Sequence, residues 1–444
     1  MRHKLGLGTI IGLVIANMIG AGVFTTSGFA MGDLGSPLYV ILAWLAGGVI
    51  AFCGAISYGA LSRLMPVSGG EYLFLSRSIH PLMGFIAGWI SLLAGFTGAI
   101  AYAAITMEVY LVPTALRSVI TENAIATVTI LSAALIHGIR VSHGVIIQNL
   151  TVAVKLILIG CFLTFAAFGP ALDSWDGIRA FRATGLPDFS MAAFATTLMW
   201  ISFSYSGFNA AIYVASEVDN AGVVIPKAMV YATLITTIIY LLLNAVFVFA
   251  PAPDAINRQE DVAAIAAIKL GGDFLAHVIR GIIVVALFTT ISAMIMAGPR
   301  VYAQMAEDGL LPEALRFTRQ APDVSIALQS LLAVMVVWIT GLRELLSYLG
   351  FTLGLSAAAT ITSLFVIVRR DPNIAHQLPG FPWSPAVFVF FTLVFAGVAA
   401  TRNPWEMFAA VLTIVSGIII FLLFNRARPR VSIETTKPSR REET

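Results

Sequence analysis

Long apolar runs separated by short polar loops dominate the chain. A helix needs about 20 mostly apolar residues to cross a hydrocarbon core. Twelve stretches qualify: 5–30, 37–64, 81–112, 122–138, 143–169, 189–215, 226–250, 273–305, 324–342, 344–369, 383–401 and 404–425. The runs are continuous rather than alternating, which predicts helices and not barrel strands. The expectation is an all-α polytopic membrane protein with a single transmembrane domain over 1–425. The remaining 426–444 is polar, contains proline and reads as a disordered cytoplasmic tail. The first run begins after a basic start, Met1-Arg2-His3-Lys4, but is too long for a signal h-region and reads as the first span.

Two of these runs are interrupted. Span 1 reads IIGLVIANMIGAGVFTTSGFAMGD and places Gly20-Ala21-Gly22 roughly 22 Å along a helix started at Leu5, near mid-membrane. Span 6 carries Phe203-Ser204-Tyr205-Ser206-Gly207-Phe208-Asn209 about 24 Å from Ser190, again near the middle. Glycine costs about 1 kcal/mol against alanine inside a helix. A stripe of small residues for helix packing accounts for one such run. Two at matching depth, five spans apart and running in opposite directions, point instead to a transporter built from inverted repeats. Unwinding frees backbone groups that need buried partners or a water-lined cavity. Freed N–H groups at a half-helix N-terminus suit a carboxylate, and freed carbonyls suit an ammonium, so the pair fits a zwitterion.

Lys155 in GVIIQNLTVAVKLILIGCFLTF lies about 18 Å into span 5. An ammonium at that depth costs about 2.5–3.5 kcal/mol and must face a partner or cavity. The side chain is too short to reach the interface, so it reads as a proton-binding or structural cation inside the bundle, with Thr289, Thr290 and Ser292 of span 8 as candidate partners. Glu108, five residues before Pro113, reads as an interfacial carboxylate.

Composition narrows the classes. Hydrophobic residues make up 59% and charged residues 11%, with a mean hydropathy of +0.91; soluble chains carry about 25% charged residues. A net charge of +3 gives no reason to expect nucleic acid. About two-thirds of the 26 lysines and arginines fall on the side of the N-terminus, which places both termini in the cytoplasm of a cell-membrane protein. Cys53 and Cys161 lie inside apolar runs and read as packing residues. No histidine pairs with another ligand at metal spacing within a span, so no metal, no cofactor and no enzyme activity are expected. No repeated filter or ring of charge suggests a channel.

Several motifs resemble those of the amino acid–polyamine–organocation permeases. Ile19-Gly20-Ala21-Gly22-Val23-Phe24 is similar to that family's I-G-(S/A)-G-(I/V)-F. Ser57-Tyr58-Gly59-Ala60-Leu61 with Pro66-Val67-Ser68-Gly69-Gly70-Glu71-Tyr72 resembles its Y-x-E-L…P-x-S-G-G-x-Y. Span 6 resembles F-x-Y-x-G-(F/W), and Arg300 to Pro312 resembles R-x-x-Y-A-M-A-R-D-G-x-L-P. Phe381-Pro382-Trp383-Ser384-Pro385 is similar to a Pro-rich entry to span 11.

The resemblance implies a five-plus-five inverted repeat, spans 1–5 (5–169) and 6–10 (189–369), with spans 11 and 12 (383–425) peripheral. It implies that the backbone of Met18, Ile19, Gly20, Ala21 and Gly22, chiefly the amides of Ala21 and Gly22, holds a substrate carboxylate. It implies that carbonyls of Phe203, Ser204 and Ser206 hold the amino group and that Phe203 closes the site from outside. Lys155 matches the position where a lysine replaces a sodium ion of related symporters. Val218, Glu307 and the 220–226 loop depart from the family pattern. The outer loop between spans 3 and 4 has no cysteine, against a disulfide-linked accessory subunit.

No acidic residue flanks either break, and Met18, Ala21, Trp200, Phe203 and Phe208 suggest an apolar lining. The expected substrate is a neutral, apolar amino acid moved by alternating access, coupled to protons or by exchange. A polyamine or cationic amino acid exchanger of the same fold is the alternative; a channel or membrane-embedded enzyme is the alternative of another class.

Overall fold

A computed structural model describes residues 5–112, 120–139, 144–169, 174–316 and 323–426. The tail expected to be disordered lies, apart from Arg426, outside the described residues. The regular structure of the described residues is helical, with one isolated bridge between Leu5 and Val218 and no strand.

The first run forms α1 (Leu7–Met18) and α2 (Gly22–Leu34), bent by 42° at the break. Then come α3 (Pro37–Leu64), the short α4 (Gly70–Ser78) and α5 (Pro81–Leu111), which holds a π-helical stretch at Ser91–Gly98. α6 (Ala124–Ile139), α7 (Gly144–Phe168) and α8 (Asp176–Thr184) follow. α9 (Met191–Tyr205) ends in a four-residue turn and a 3₁₀ segment, Ala210–Glu217. The rest are α10 (Ala221–Phe249), α11 (Val262–Glu307), α12 (Asp323–Ile339), α13 (Leu342–Arg370), α14 (Trp383–Ala400) and α15 (Pro404–Arg426).

Among the described residues, seven helices are long and apolar enough to cross a membrane, and eight if the bent pair is one span. The apolar runs expected at 122–138, 143–169 and 324–342 contain shorter apolar helices, Ala124–His137, Ala153–Phe168 and Asp323–Ile339. The run at 189–215 stops being α-helical at Tyr205, because its small and hydroxylated stretch leaves the helix there. α11 is longer than the apolar run 273–305. Gly271 (φ −147°) and Gly272 (φ 65°) break its helical geometry and join a leading helix to the span proper.

The packing positions the two interruptions. α3 runs along α10, and α5 lies against α11. α2 and α9 pack together, and α1 contacts α10 and the 3₁₀ segment. The interior is rich in aromatic rings, with Trp44, Tyr205 and Tyr240 in mutual contact at 5.0–5.9 Å between ring centroids. At the face that carries the start of the chain, Leu5 N–H donates to the Glu217 carbonyl (2.9 Å). Ser68 and Ser216 exchange amide-to-hydroxyl bonds there (3.1 and 3.0 Å), and Tyr72 hydroxyl donates to Asp308 (2.8 Å). The opposite face closes with charge instead: the Asp33 side chain, 2% exposed, is held by Arg343 (3.3 Å) and Arg402 (2.9 Å).

Candidate substrate site at two helix breaks

The first break spans Ile19 to Ala21. Ile19 turns out of the helix (ψ 84°) after its amide donates to Ile15 (2.9 Å). Gly20 N–H folds back on the Met18 carbonyl (2.8 Å), and Phe24 N–H reaches the Ala21 carbonyl (3.1 Å). A new helix then starts at Gly22 with no side-chain cap. The opening amides of a helix have no intrahelical acceptor. Those of Ala21, Gly22 and Val23 have no acceptor elsewhere among the described residues. Three donors without an acceptor therefore stand at the positive end of a helix dipole. Gly20 is half-buried, and the nearest atom to a side chain placed there is 3.9 Å away, so space lies beside the break.

The second break follows Tyr205. Ser206 (ψ 150°) leaves the helix with its amide on the Phe203 carbonyl (2.9 Å), and Gly207 takes φ +99°. That backbone brings Gly207 against Asn17, where a Cβ would lie 2.9 Å from the Asn17 carbonyl oxygen. Of the three carbonyls expected to hold an ammonium, Phe203's carries the Ser206 amide and Ser204's carries the Tyr240 hydroxyl. Ser206's accepts from no other described residue. A carbonyl has two lone pairs, so the first two retain one each.

The breaks touch directly. A Cβ on Gly22 would lie 2.9 Å from the Ser204 Cβ and 3.0 Å from its Cα, so only glycine permits this approach. Thr26 Oγ1 lies 3.1 Å from Ser204 Oγ. Tyr240 of α10 aims one hydroxyl at the Met18 carbonyl (2.5 Å) and the Ser204 carbonyl (2.9 Å), one acceptor from each interrupted helix. The sequence reading missed Tyr240. Its only signal was a phenol inside TTIIYLLLN, where a buried hydroxyl must find an acceptor.

Lys155 is 5% exposed and reaches the first break. Its Nζ donates to the Ile19 carbonyl (2.6 Å) and the Ala16 carbonyl (3.3 Å). It caps the carbonyl end of α1, where the helix dipole favours a cation. The expected partners in span 8 are corrected: Thr289 and Thr290 bond back to Ala286 of their own helix (2.8 and 3.0 Å), and Ser292 pairs with His137 (2.6 Å). Hydroxyls on a helix commonly return to a carbonyl of the preceding turn.

The expected apolar lining is divided. Phe203 is half-buried, with its ring edge-on to Tyr102 at 5.2 Å beside the Thr25–Tyr102 hydrogen bond. Trp200 is fully buried against Phe29, donates to Ser347 (2.7 Å) and lies under Arg343. Phe208 packs on Tyr58 and Phe388. Glu108 accepts the amides of Asn123 (2.7 Å) and Ala126 (2.8 Å), which makes it the cap of α6.

The family model described as "Amino acid permease" matches residues 5–424. The chain is 23% identical over 434 residues to the serine/threonine exchanger SteT of Bacillus subtilis, covering 95% of this chain and 96% of that protein. It is 22% identical to the large neutral amino acids transporter small subunit 2 of Rattus norvegicus, covering 95% and 81%. It is also 22% identical to the b(0,+)-type amino acid transporter 1 of Mus musculus, covering 96% and 88%.

Proposed function

This chain belongs to the amino acid permease family, a family of transporters and not of enzymes, and from that premise we propose that it carries neutral, apolar amino acids across the cell membrane by alternating access. The observation that carries the reading is the free amide set of Ala21, Gly22 and Val23 facing the break, with carbonyls of the second break alongside. One end of a zwitterion needs several donors, and the other needs acceptors. No carboxylate lies within either break, which disfavours a polyamine or a purely cationic substrate. Met18, Ile19, Gly20, Ala21 and Gly22 act through backbone, as do Phe203, Ser204 and Ser206, and Phe203 with Tyr102 closes the way out.

The proposal includes twelve crossings, both termini in the cytoplasm, and repeats over spans 1–5 and 6–10. The packing of α3 on α10 and of α5 on α11 supports that symmetry, since these are the second and third members of each repeat. The chain's two cysteines are Cys53 and Cys161, neither in the loop after span 3, so it works without a disulfide-linked subunit. Lys155 holds the carbonyl end of α1 where a sodium ion would otherwise be needed, and coupling is to protons or by exchange.

Proteoliposomes test this. All twenty amino acids, and N-acetylated and amidated analogues of the best, compete against one transported label with and without a proton gradient. Neutral apolar amino acids are expected to compete, and both blocked analogues to fail. Lys155→Ala is expected to lose gradient-driven accumulation, or in an exchanger to slow exchange at least about tenfold, as loss of a charged hydrogen bond implies. Competition by an N-acetylated analogue removes the role of the second break. A strict sodium requirement with full activity in Lys155→Ala removes the role of the lysine.

A further inference from the structure

Glu71 opens α4, at the face where the chain begins, and is 8% exposed. No ion pair holds it among the described residues. Three neutral donors do. Tyr58 hydroxyl reaches it from α3, Asn209 Nδ2 (3.1 Å) from the second break, and Ser356 hydroxyl (2.7 Å) from α13. The titratable groups that face it are Tyr58 and, from the 3₁₀ segment, Tyr213. α13 contributes Ser356, and Thr360 one turn on donates to the Ser356 carbonyl (3.0 Å). Arg77, at the far end of α4, is exposed. Burial pushes the Glu71 carboxyl above the ordinary carboxylate range, and the three hydrogen bonds oppose that shift only in part.

This pocket accepts both protonation states. The ionised carboxylate takes three donors. The neutral acid has one O–H to give: protonated on Oε2 it donates to the Ser356 hydroxyl, which rotates to accept, while Tyr58 and Asn209 keep donating to Oε1. A carboxylate paired to arginine has no such freedom. The three donors belong to three different elements, α3, the second break and α13, so the pocket exists only while these are packed together.

We propose that Glu71 is a proton-binding site that loads when this face shuts and unloads into water when it opens. The proton arrives from water on the same side, bonds to a carboxylate oxygen, and returns there on opening. The proposal rests on the alternating-access reading for its cycle, and extends it to a group that touches no substrate. The sign follows from burial: the shut state binds the proton more tightly, so acid on this side favours the shut state. That preference fades as pH rises through the raised value.

Infrared titration of the purified full-length protein reads the site without transport. Subtracting Glu71→Gln from the wild type is expected to leave one carboxyl band that titrates above the ordinary carboxylate range. A difference spectrum without it overturns the site whatever the protein carries. In proteoliposomes, pH is then varied inside and outside in turn. Glu71→Gln, the isostere of the neutral acid, is expected to keep transport within several-fold and to lose the pH dependence on one side only. A wild-type profile in that variant overturns the link to gating. If Glu71→Gln is not recovered folded, Ser356→Ala replaces it in both measurements. Removing one donor to the anion is expected to move the midpoint up by roughly half a pH unit or more, and an unmoved midpoint overturns the proposal.

Discussion

At the first break, Ile19 to Ala21 separate two α-helices whose axes diverge by 42°. At the second, an α-helix ends at Tyr205 and a 3₁₀ segment follows. The helix that restarts at Gly22 presents its opening amides as an aligned set, with the dipole behind them. The 3₁₀ segment is entered through a turn, and its amides at Ala210 and Ile212 already donate to the Gly207 and Asn209 carbonyls (3.0 and 3.1 Å). It offers carbonyls and a glycine turned to φ +99°. The carbonyl end of the first break is covered by Lys155 and Tyr240, so its polarity toward a ligand is positive. The first break is thus built for an anion that needs several simultaneous donors, and the second for a cation that needs few acceptors.

The largest effect is expected from Gly22→Val. A Cβ there meets the Ser204 backbone at 3.0 Å, and β-branching adds bulk where the two breaks touch. Uptake is expected to fall to background at unchanged membrane abundance. Near-normal uptake at unchanged affinity would show that the first break is only a packing contact. Gly207→Ala probes the other side with a smaller insult. The left-handed backbone and the 2.9 Å approach to Asn17 cost about 1–3 kcal/mol together. Carried wholly into the transport barrier, that corresponds to roughly a five- to 160-fold loss of transport. A Gly207→Ala variant as inactive as Gly22→Val would erase the proposed asymmetry between an exacting first break and a more tolerant second one.

Both breaks were legible because backbone irregularity in a membrane helix leaves a mark in residue type: glycine, alanine and serine where leucine would otherwise stand. Lys155 was legible by depth alone. Its partners were not, because carbonyls of Ala16 and Ile19 carry no side-chain signature, and the rotational phase of span 8 cannot be read from one sequence. The twelve apolar runs located the helices but not their lengths. The α-helix of span 6 stops at Tyr205, and α11 runs back through Gly271 and Gly272 into a helix that is not part of the apolar run. Glu71 was visible as one letter of a motif. Its burial depends on Tyr58, Asn209 and Ser356, which only the folded bundle assembles.

The smallest effect is expected from Tyr240→Phe, and it separates two roles for the hydroxyl that joins the breaks. Its single proton serves either the Met18 or the Ser204 carbonyl. When a substrate ammonium occupies Ser204, the phenol can turn to Met18, so it does not compete with binding. Met18 keeps the Gly20 amide after the substitution, and the Ser204 carbonyl is left to the substrate ammonium. The loss is then that of one neutral hydrogen bond, about 0.5–1.5 kcal/mol, or roughly two- to tenfold. If the hydroxyl holds the two helices in register, turnover falls by that factor while half-saturation stays near the wild-type value. If affinity falls and turnover does not, Tyr240 is a direct ligand of the substrate. The cationic end of the zwitterion would then belong to α10 as much as to the second break, and the division of labour between the two breaks would have to be redrawn.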